Sequence, residues 1–568
     1  MTRSRTVAAG LALVAVAGAG ARGAEPVRAQ DFMVAAANPL AAQAGFDVLA
    51  AGGKAADAMV AVQLVLNLVE PQSSGIGGGA FLVYWDAATR RLTTFDGRET
   101  APLAAGPDLF LNPGGTPMAF EDAVPGGKSA GVPGTLALLA TVHARLGSLP
   151  WSELVQPAAD LAERGFAVSP RLAGAIADSA DSLRPFPATA AYFLGEDGAP
   201  PEPGETLRNP AFAETLRLIA AGGATPFYEG AIGEAIVAAV REAPVNPGAM
   251  TSADLVAYEV KERPPVCIAY RGDEVCGMGP PSSGALTVGQ ILGLAEHFDL
   301  STMGPENPDA WHVFAEASKL AFADRATYMA DADFVPVPVR GLLDPAYLTV
   351  RAQQIDLDAA MSEAKAGNPP WRTPMDLSPD TAEERPGTSH FVIVDAEGNA
   401  VSMTTTIESG FGSKLMAGGF LLNNELTDFA FEPVVNGRPV ANRVEPGKRP
   451  RSSMAPTIVL RDGRPVLLVG SPGGSRIIGY VAKTLIGALD WDLDPQAVIE
   501  LGHLINRNSA TTELEADTVP ASFADALGAR GHEVRVRPFD SGLHAIRINP
   551  DGLLGGADPR REGVALGR

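Results

Sequence analysis

The sequence predicts an α/β sandwich with helices outside the sheets. Three observations carry this prediction. Two helix-like stretches precede two strand-like runs within the first hundred residues. A long, largely helical middle then gives way to a polar stretch. After it, β-rich runs return, and the second pair ends in a glycine turn that opens another helix.

In chain order, Arg3 and Arg5 precede an apolar run from Val7 to Ala19, followed by small residues. That is the layout of a secretory signal peptide, with cleavage expected after Ala21 or after Ala29. The run is about 13 residues long, short of the ~20 that a membrane span needs. Asn38-Pro39 reads as an N-cap with proline at the first helical position. Leu40, Ala44, Val48 and Ala51 are expected on the apolar face of that helix, and Gly52-Gly53 ends it. Ala55 to Val69 is more apolar but is interrupted by Asp57, Gln63 and Asn67, so it reads as a buried helix. Gly75–Gly79 leads into a strand from Ala80 to Trp85. A second strand, Leu92 to Phe95, ends in Asp96-Gly97-Arg98-Glu99.

Within the helical middle, about 127 to 350, VCIAYRGDEVC reads as a hairpin. With Arg271-Gly272 as a two-residue turn, Tyr270 pairs with Asp273. Cys267 then faces Cys276 in a non-hydrogen-bonded pair, where chains approach to ~4.5 Å. The two cysteines are either a cross-strand disulfide or two half-buried thiols. Residues 356–387 are polar, contain proline and lack periodicity, and are expected to be exposed and mobile. Ser389–Val394 and Val401–Ile407 are β-rich runs joined through residues 395–399. Strands are expected at 457–460 and 466–469. Gly470-Ser471-Pro472-Gly473-Gly474 then leads into a helix from about Arg476 to Leu489.

Composition narrows the function. The 568 residues include 66 Asp+Glu against 44 Lys+Arg, a net charge of −22. This acidity excludes nucleic-acid binding through a basic footprint and a polybasic membrane-surface role. Two cysteines exclude a Cys-based zinc ribbon or iron–sulfur cluster, and the seven histidines are scattered without an H-x-x-x-H pair. No metal or cofactor is expected. The Gly75–Gly79 run precedes a strand, whereas a dinucleotide loop follows one. The Gly473-Gly474 turn sits between strand and helix, where backbone N–H groups either hold an anion or simply make a tight turn. At Gly387-Thr388 the polar stretch meets a buried-type strand. A threonine hydroxyl needs a neighbouring base to act as nucleophile. Cleavage before Thr388 would supply one, an α-amino group of pKa ~7.7–8.

TSHFVIVDAEGNAVSMTTTIESGFGS, GGFLLNNELTDF, KRPRSSMAPTIV and GSPGGSRI resemble the small subunit of the γ-glutamyltransferase (glutathione hydrolase) family. AADAMVAVQLVLNLVEPQSSGIGGGAF, FDGRETAP, VPGTLALL, PPSSGA and GADPRREG extend the resemblance over residues 31–568, in order. The resemblance implies a four-layer αββα N-terminal-nucleophile hydrolase, formed by two associated subunits cut from one precursor. The cut falls at Gly387/Thr388. It divides the chain into a signal segment 1–29, a large subunit 30–387 and a small subunit 388–568. Thr388 is implied as self-cleavage residue and nucleophile, Thr406 as its hydrogen-bond partner, and Gly473 and Gly474 as the oxyanion hole. Arg98 is implied to grip the substrate α-carboxylate with Ser452 and Ser453, while Glu425 and Asp428 hold the α-ammonium. The implied substrate is glutathione or a related γ-glutamyl amide, with water or an amino acid or peptide as acceptor, in the periplasm or outside the cell.

The sequence departs from the family pattern at three places. Glu408 stands where many members have Asn, which brings a third carboxylate toward the ammonium site and raises at least one pKa there. Ser389 stands where Thr is common. The stretch from Ala430 to Arg451 is shorter than the lid of longer-lidded members and has no tyrosine, so a more open acceptor side is expected. Glu408 keeps open a second reading, a cephalosporin or glutaryl-amide acylase using the same Thr388. A third, an inactive periplasmic binding protein, sits poorly with the presence of Thr388, Thr406 and the glycine pair.

Overall fold

The computed structural model describes residues 24–568 apart from Glu196, Arg372, Glu383 and Pro386. The greater part of the expected signal segment, residues 1–23, lies outside the described residues. The principal strands are β1 (Val27–Ala29), β2 (Met33–Ala36), β3 (Gly79–Asp86), β4 (Arg91–Gly97), β5 (Lys261–Arg263), β6 (Val266–Tyr270), β7 (Asp273–Gly277), β8 (Thr388–Val394), β9 (Ala400–Thr406), β10 (Thr457–Arg461), β11 (Arg464–Gly470), β12 (His544–Asn549), β13 (Gly552–Ala557) and β14 (Val564–Gly567). They build two seven-stranded antiparallel sheets, ordered β1-β13-β12-β11-β10-β7-β6 and β14-β2-β8-β9-β3-β4-β5.

Period-two alternation explains how the layers stack. In β8, Phe391 and Ile393 join a core with helices α1 (Pro39–Ala50), α2 (Ala55–Val69) and α3 (Thr135–Leu146). Val392 and Val394 enter the core between the sheets. In β2, Val34 and Ala36 face the helices, and Met33 and Ala35 face the other sheet. The outer face of that other sheet, carrying Val459, Leu467 and Val469, packs on α4 (Gly284–Ala295), α5 (Pro308–Tyr328) and α6 (Ile477–Leu489). The expected αββα sandwich is the fold found.

Local expectations mostly hold. Asn38 caps α1 by accepting from the Leu40 N–H, and α2 is buried along its whole length. The polar interruptions of α2 have fixed partners. Asp57 accepts from the Lys54 and Ser148 N–H groups, and Asn67 accepts from the Ile76 N–H at 2.7 Å, which tethers the glycine loop. No helix among the described residues is long and apolar enough to cross a membrane.

Two expectations are corrected. The buried face of α1 carries Ala41, Gly45, Val48 and Leu49, while Leu40 is 42% exposed and Ala51 is exposed. The helix turns toward the side where Gly45 lets Val62 and Val34 approach; a Cβ there would meet Val62 at 2.6 Å. Residues 356–387 have no helix or principal strand among those described, but the segment is not simply exposed. Ala364, Leu377, Ser378 and Asp380 are buried, and Asp380 and Glu384 form ion pairs with Arg451. Its anchors are charges and isolated side chains, which leave no periodic trace.

The hairpin pairs Tyr270 with Asp273 and Cys267 with Cys276, and the cysteines form a disulfide across Cα atoms 4.1 Å apart. Arg271 and Gly272 both take positive φ, as a type I′ turn requires. Of the two expected signal cleavage points, the one after Ala21 keeps β1 with the mature chain. The one after Ala29 would strip that strand from β13.

Titration of the denatured, unreduced protein is expected to find no free thiol. Replacing both cysteines with serine is expected to cost about 2–3 kcal/mol of stability, read as a lowered melting temperature.

Candidate active site

The β8–β9 ladder places Thr388 directly opposite Thr406. Both lie on the face that looks at the second sheet, in phase with Val392, Val394 and Ala400. The Thr388 hydroxyl donates to Thr406 Oγ1 at 3.3 Å. Thr406 Oγ1 donates to the Gly387 carbonyl at 2.7 Å and accepts from the Glu408 N–H at 2.8 Å. One hydroxyl thus touches both the expected nucleophile and the carbonyl of the expected scissile bond. Behind it the glycine loop packs backbone to backbone. A Cβ on Gly78 would lie 1.9 Å from the Thr406 carbonyl.

Thr388, Thr406, Arg98, Glu408, Glu425, Asp428, Ser452, Ser453 and Gly474 line one cavity. Gly473 stands just outside it, at φ 138°, where a Cβ would meet the Tyr480 ring at 2.7 Å. Gly474 follows at φ 58°, and the two glycines open the turn that feeds α6.

The cavity is dominated by carboxyl groups around one buried guanidinium. Arg98 donates from Nη1 to Glu425, and from Nη2 to Asp428 Oδ2 at 2.5 Å and to the Arg451 carbonyl at 2.8 Å. Its Nε donates to the Pro450 carbonyl at 3.2 Å. Glu425 and Asp428 each keep one buried oxygen with no hydrogen-bond partner, Oε2 and Oδ1. Burial pushes both acids up more than Arg98 pulls them down, and the neighbouring Glu408 adds to the rise. Glu408 lies at φ 74° and accepts from Ser409, Asn424 and the Arg385 N–H. Burial raises its pKa more than those bonds lower it. Ser453 Oγ donates to Glu384 Oε2 at 2.5 Å, and Ser452 Oγ accepts from the Met454 N–H.

The chain matches the gamma-glutamyltranspeptidase family over residues 41–568. It belongs to that family. It is 38% identical to the glutathione hydrolase proenzyme of Bacillus subtilis (strain 168) over 95% of this chain and 92% of that protein. It is 36% identical to the acylase ACY 1 proenzyme of Pseudomonas sp. (strain SE83), over 94% and 92%. Its fold resembles the crystal structure of a cephalosporin acylase from Bacillus halodurans, with TM-score 0.85, 28% identity, and coverage of 98% and 99%. The chain is therefore an enzyme of the gamma-glutamyltranspeptidase type.

Three features of this family member escaped sequence reasoning. Glu99, next to Arg98, is fully buried with both oxygens unpartnered. Burial pushes its carboxyl up to about 7 against the pull of Arg98. Arg561, in the closing GADPRREG run, donates to the Thr388 carbonyl at 3.1 Å and pairs with Asp540. Glu70 accepts from Ser389 Oγ at 2.9 Å, and Ser74 Oγ donates to Ser389 Oγ. All three lie inside matched motifs, but only the long-range packing reveals what they touch. His312 and His532, distant in sequence, meet beside Glu316. Their ring nitrogens are engaged with each other, the Asp356 carbonyl and Thr512, and Glu316 accepts from Lys319.

Gly78→Ala is expected to displace Thr406 and slow chain cleavage at 387/388 by more than tenfold with the helix content unchanged. A gel time course beside a far-UV dichroism spectrum checks this.

Proposed function

We propose that this enzyme is an exported, self-cleaving hydrolase and transferase of γ-glutamyl amides, glutathione among them, acting through an ester on Thr388. One observation carries the reading. The Thr388 hydroxyl and its partner Thr406, which donates to the Gly387 carbonyl, line a cavity with Arg98, Glu425 and Asp428.

In the precursor, Thr388 Oγ1 attacks the Gly387 carbonyl carbon while Thr406 donates to its oxygen. The C–N bond breaks, the nitrogen takes the hydroxyl proton, and water hydrolyses the resulting ester. The freed α-amino group then serves as base when Thr388 attacks a γ-glutamyl carbonyl, and passes the proton to the leaving amine. The N–H groups of Gly473 and Gly474 receive the developing oxyanion. Water or an acceptor amine releases the acyl group.

Charge decides between donors. Glu408, Glu425 and Asp428 face one Arg98. A glutaryl group would add a carboxylate and no cation to this set. A γ-glutamyl group adds an ammonium, which the free oxygens of Glu425 and Asp428 can accept. Its carboxylate competes for Arg98 and finds Ser452 and Ser453 alongside. The similarity to acylases makes the glutaryl amide the control substrate. Export is supported by the expected signal segment and by the disulfide, which suits an oxidising compartment.

The wild-type chain is expected to run as two bands and to turn over γ-glutamyl-p-nitroanilide at least tenfold faster than glutaryl-p-nitroanilide. Thr388→Ala is expected to stay whole and inactive. A preference for the glutaryl amide would establish the acylase reading instead.

The Thr388 amine must be neutral to act as base, and its pKa is ~8. The raised acids must be ionised to hold an ammonium. Both requirements favour higher pH, so kcat/KM for the γ-glutamyl anilide is expected to rise between pH ~6 and ~8. A flat profile over that range would refute an amine base.

A further inference from the structure

Beside the catalytic cavity lies a second, wider groove. Glu384 and Arg385 line both spaces, and the groove continues along Ser475 and Arg476, which directly follow Gly474. In a protein of net charge −22, this groove is lined by Arg325, Arg451, Arg476, Arg507 and Arg537. Arg476 and Arg537 share Glu513. Arg507 donates to Ser475 Oγ at 2.8 Å and forms no ion pair among the described residues.

Arg325 and Arg451 are buried and converge on a single carboxylate, that of Glu384, four residues before the expected cut. Arg325 Nη2 donates to Glu384 Oε1 and, at 2.7 Å, to Ser453 Oγ. Ser453 donates in turn to Glu384 Oε2 at 2.5 Å. Burial pushes the Glu384 carboxyl up, but the two guanidiniums outweigh it and hold the pKa at about 2. Asp380, also before the cut, pairs with Arg451 at 3.1 Å. The uncut chain therefore displays how this groove binds a carboxylate, with two cations and a hydroxyl around one acid.

We propose that the Arg325–Arg451 pair, extended by Arg507, is a subsite for a carboxylate on the leaving amine or the acceptor. Glu384 and Asp380 fill it until cleavage frees their chain end. This rests on the γ-glutamyl reading above. A γ-glutamyl donor has one α-carboxylate, which that reading gives to Arg98. Any further carboxylate of a γ-glutamyl peptide lies on the amine side. The subsite therefore selects amines that carry an acidic group, such as the carboxyl end of a peptide.

The test compares two donors that differ only in the leaving group, γ-glutamyl-p-nitroanilide and γ-glutamyl-3-carboxy-4-nitroanilide, on the cut enzyme. The carboxylated anilide is expected to have at least tenfold higher kcat/KM, with the ratio shrinking as salt is raised. Arg451→Leu and Arg507→Gln are each expected to bring the ratio toward one. Arg507 is partly exposed, so its variant keeps the test sharp where Arg451→Leu fails to fold. Equal kcat/KM for the two anilides, or a ratio unchanged in both variants, overturns the subsite while leaving the γ-glutamyl reading intact. Equal losses on both anilides would assign the arginines to the donor carboxylate and also overturn it. No turnover of either anilide by cut enzyme refutes both readings together.

Discussion

Between β8 and β9, pairing Thr388 with Thr406 sets two hydroxyls side by side at the end of a buried ladder. Antiparallel pairing brings directly opposed side chains to roughly 4.5–5.5 Å between Cβ atoms. A slip of one residue would turn both threonines toward the helices, because side chains alternate faces. The flanking pairs resist such a slip. β9 is also zipped to β3 and β8 to β2, with large apolar residues committed to each face. The chemistry therefore inherits its precision from the core. The glycine loop adds the last constraint by bringing backbone against the Thr406 carbonyl where no side chain would fit.

Around that fixed pair the site is electrostatically crowded. Four buried carboxyls, Glu99, Glu408, Glu425 and Asp428, surround Arg98. Such a set is costly to bury without further positive charge. The same imbalance that burdens the folded protein would favour the ammonium of the proposed γ-glutamyl donor. The adjoining arginine groove has the opposite sign. Two neighbouring regions of opposite charge can sort the two halves of one substrate by charge as well as by shape.

Much of the fold was legible because its signals are local. The cap at Asn38-Pro39, the I′ turn at Arg271-Gly272, the β-rich runs after residue 387 and the glycine turn before α6 each announce themselves within a few residues. The rotation of α1 did not, since it depends on Gly45 meeting Val62 from another helix. Residues 356–387 looked featureless because their anchors, such as Asp380 and Glu384, reach partners some seventy residues away. Most of the candidate site was legible through motif resemblance, and the cavity gathers nearly all of those residues. The roles of Arg325, Arg451 and Arg561 were not, because an arginine in a sequence does not reveal which carboxylate or carbonyl it will find.

The expected cut at 387/388 falls in a fold whose two parts share every layer. β8 lies between β2 and β9, β10 pairs with β7, and β1 and β2 are edged by β13 and β14. Cutting the chain therefore releases no module. It changes the order of the folding reaction. An intact precursor folds as a unimolecular process, at a rate independent of concentration. Two cut pieces, neither holding a complete sheet, must first find each other, so recovery after unfolding becomes bimolecular and slow when dilute. Such an enzyme folds once as a single chain. Its working lifetime is then set by how slowly it unfolds rather than by how well it refolds.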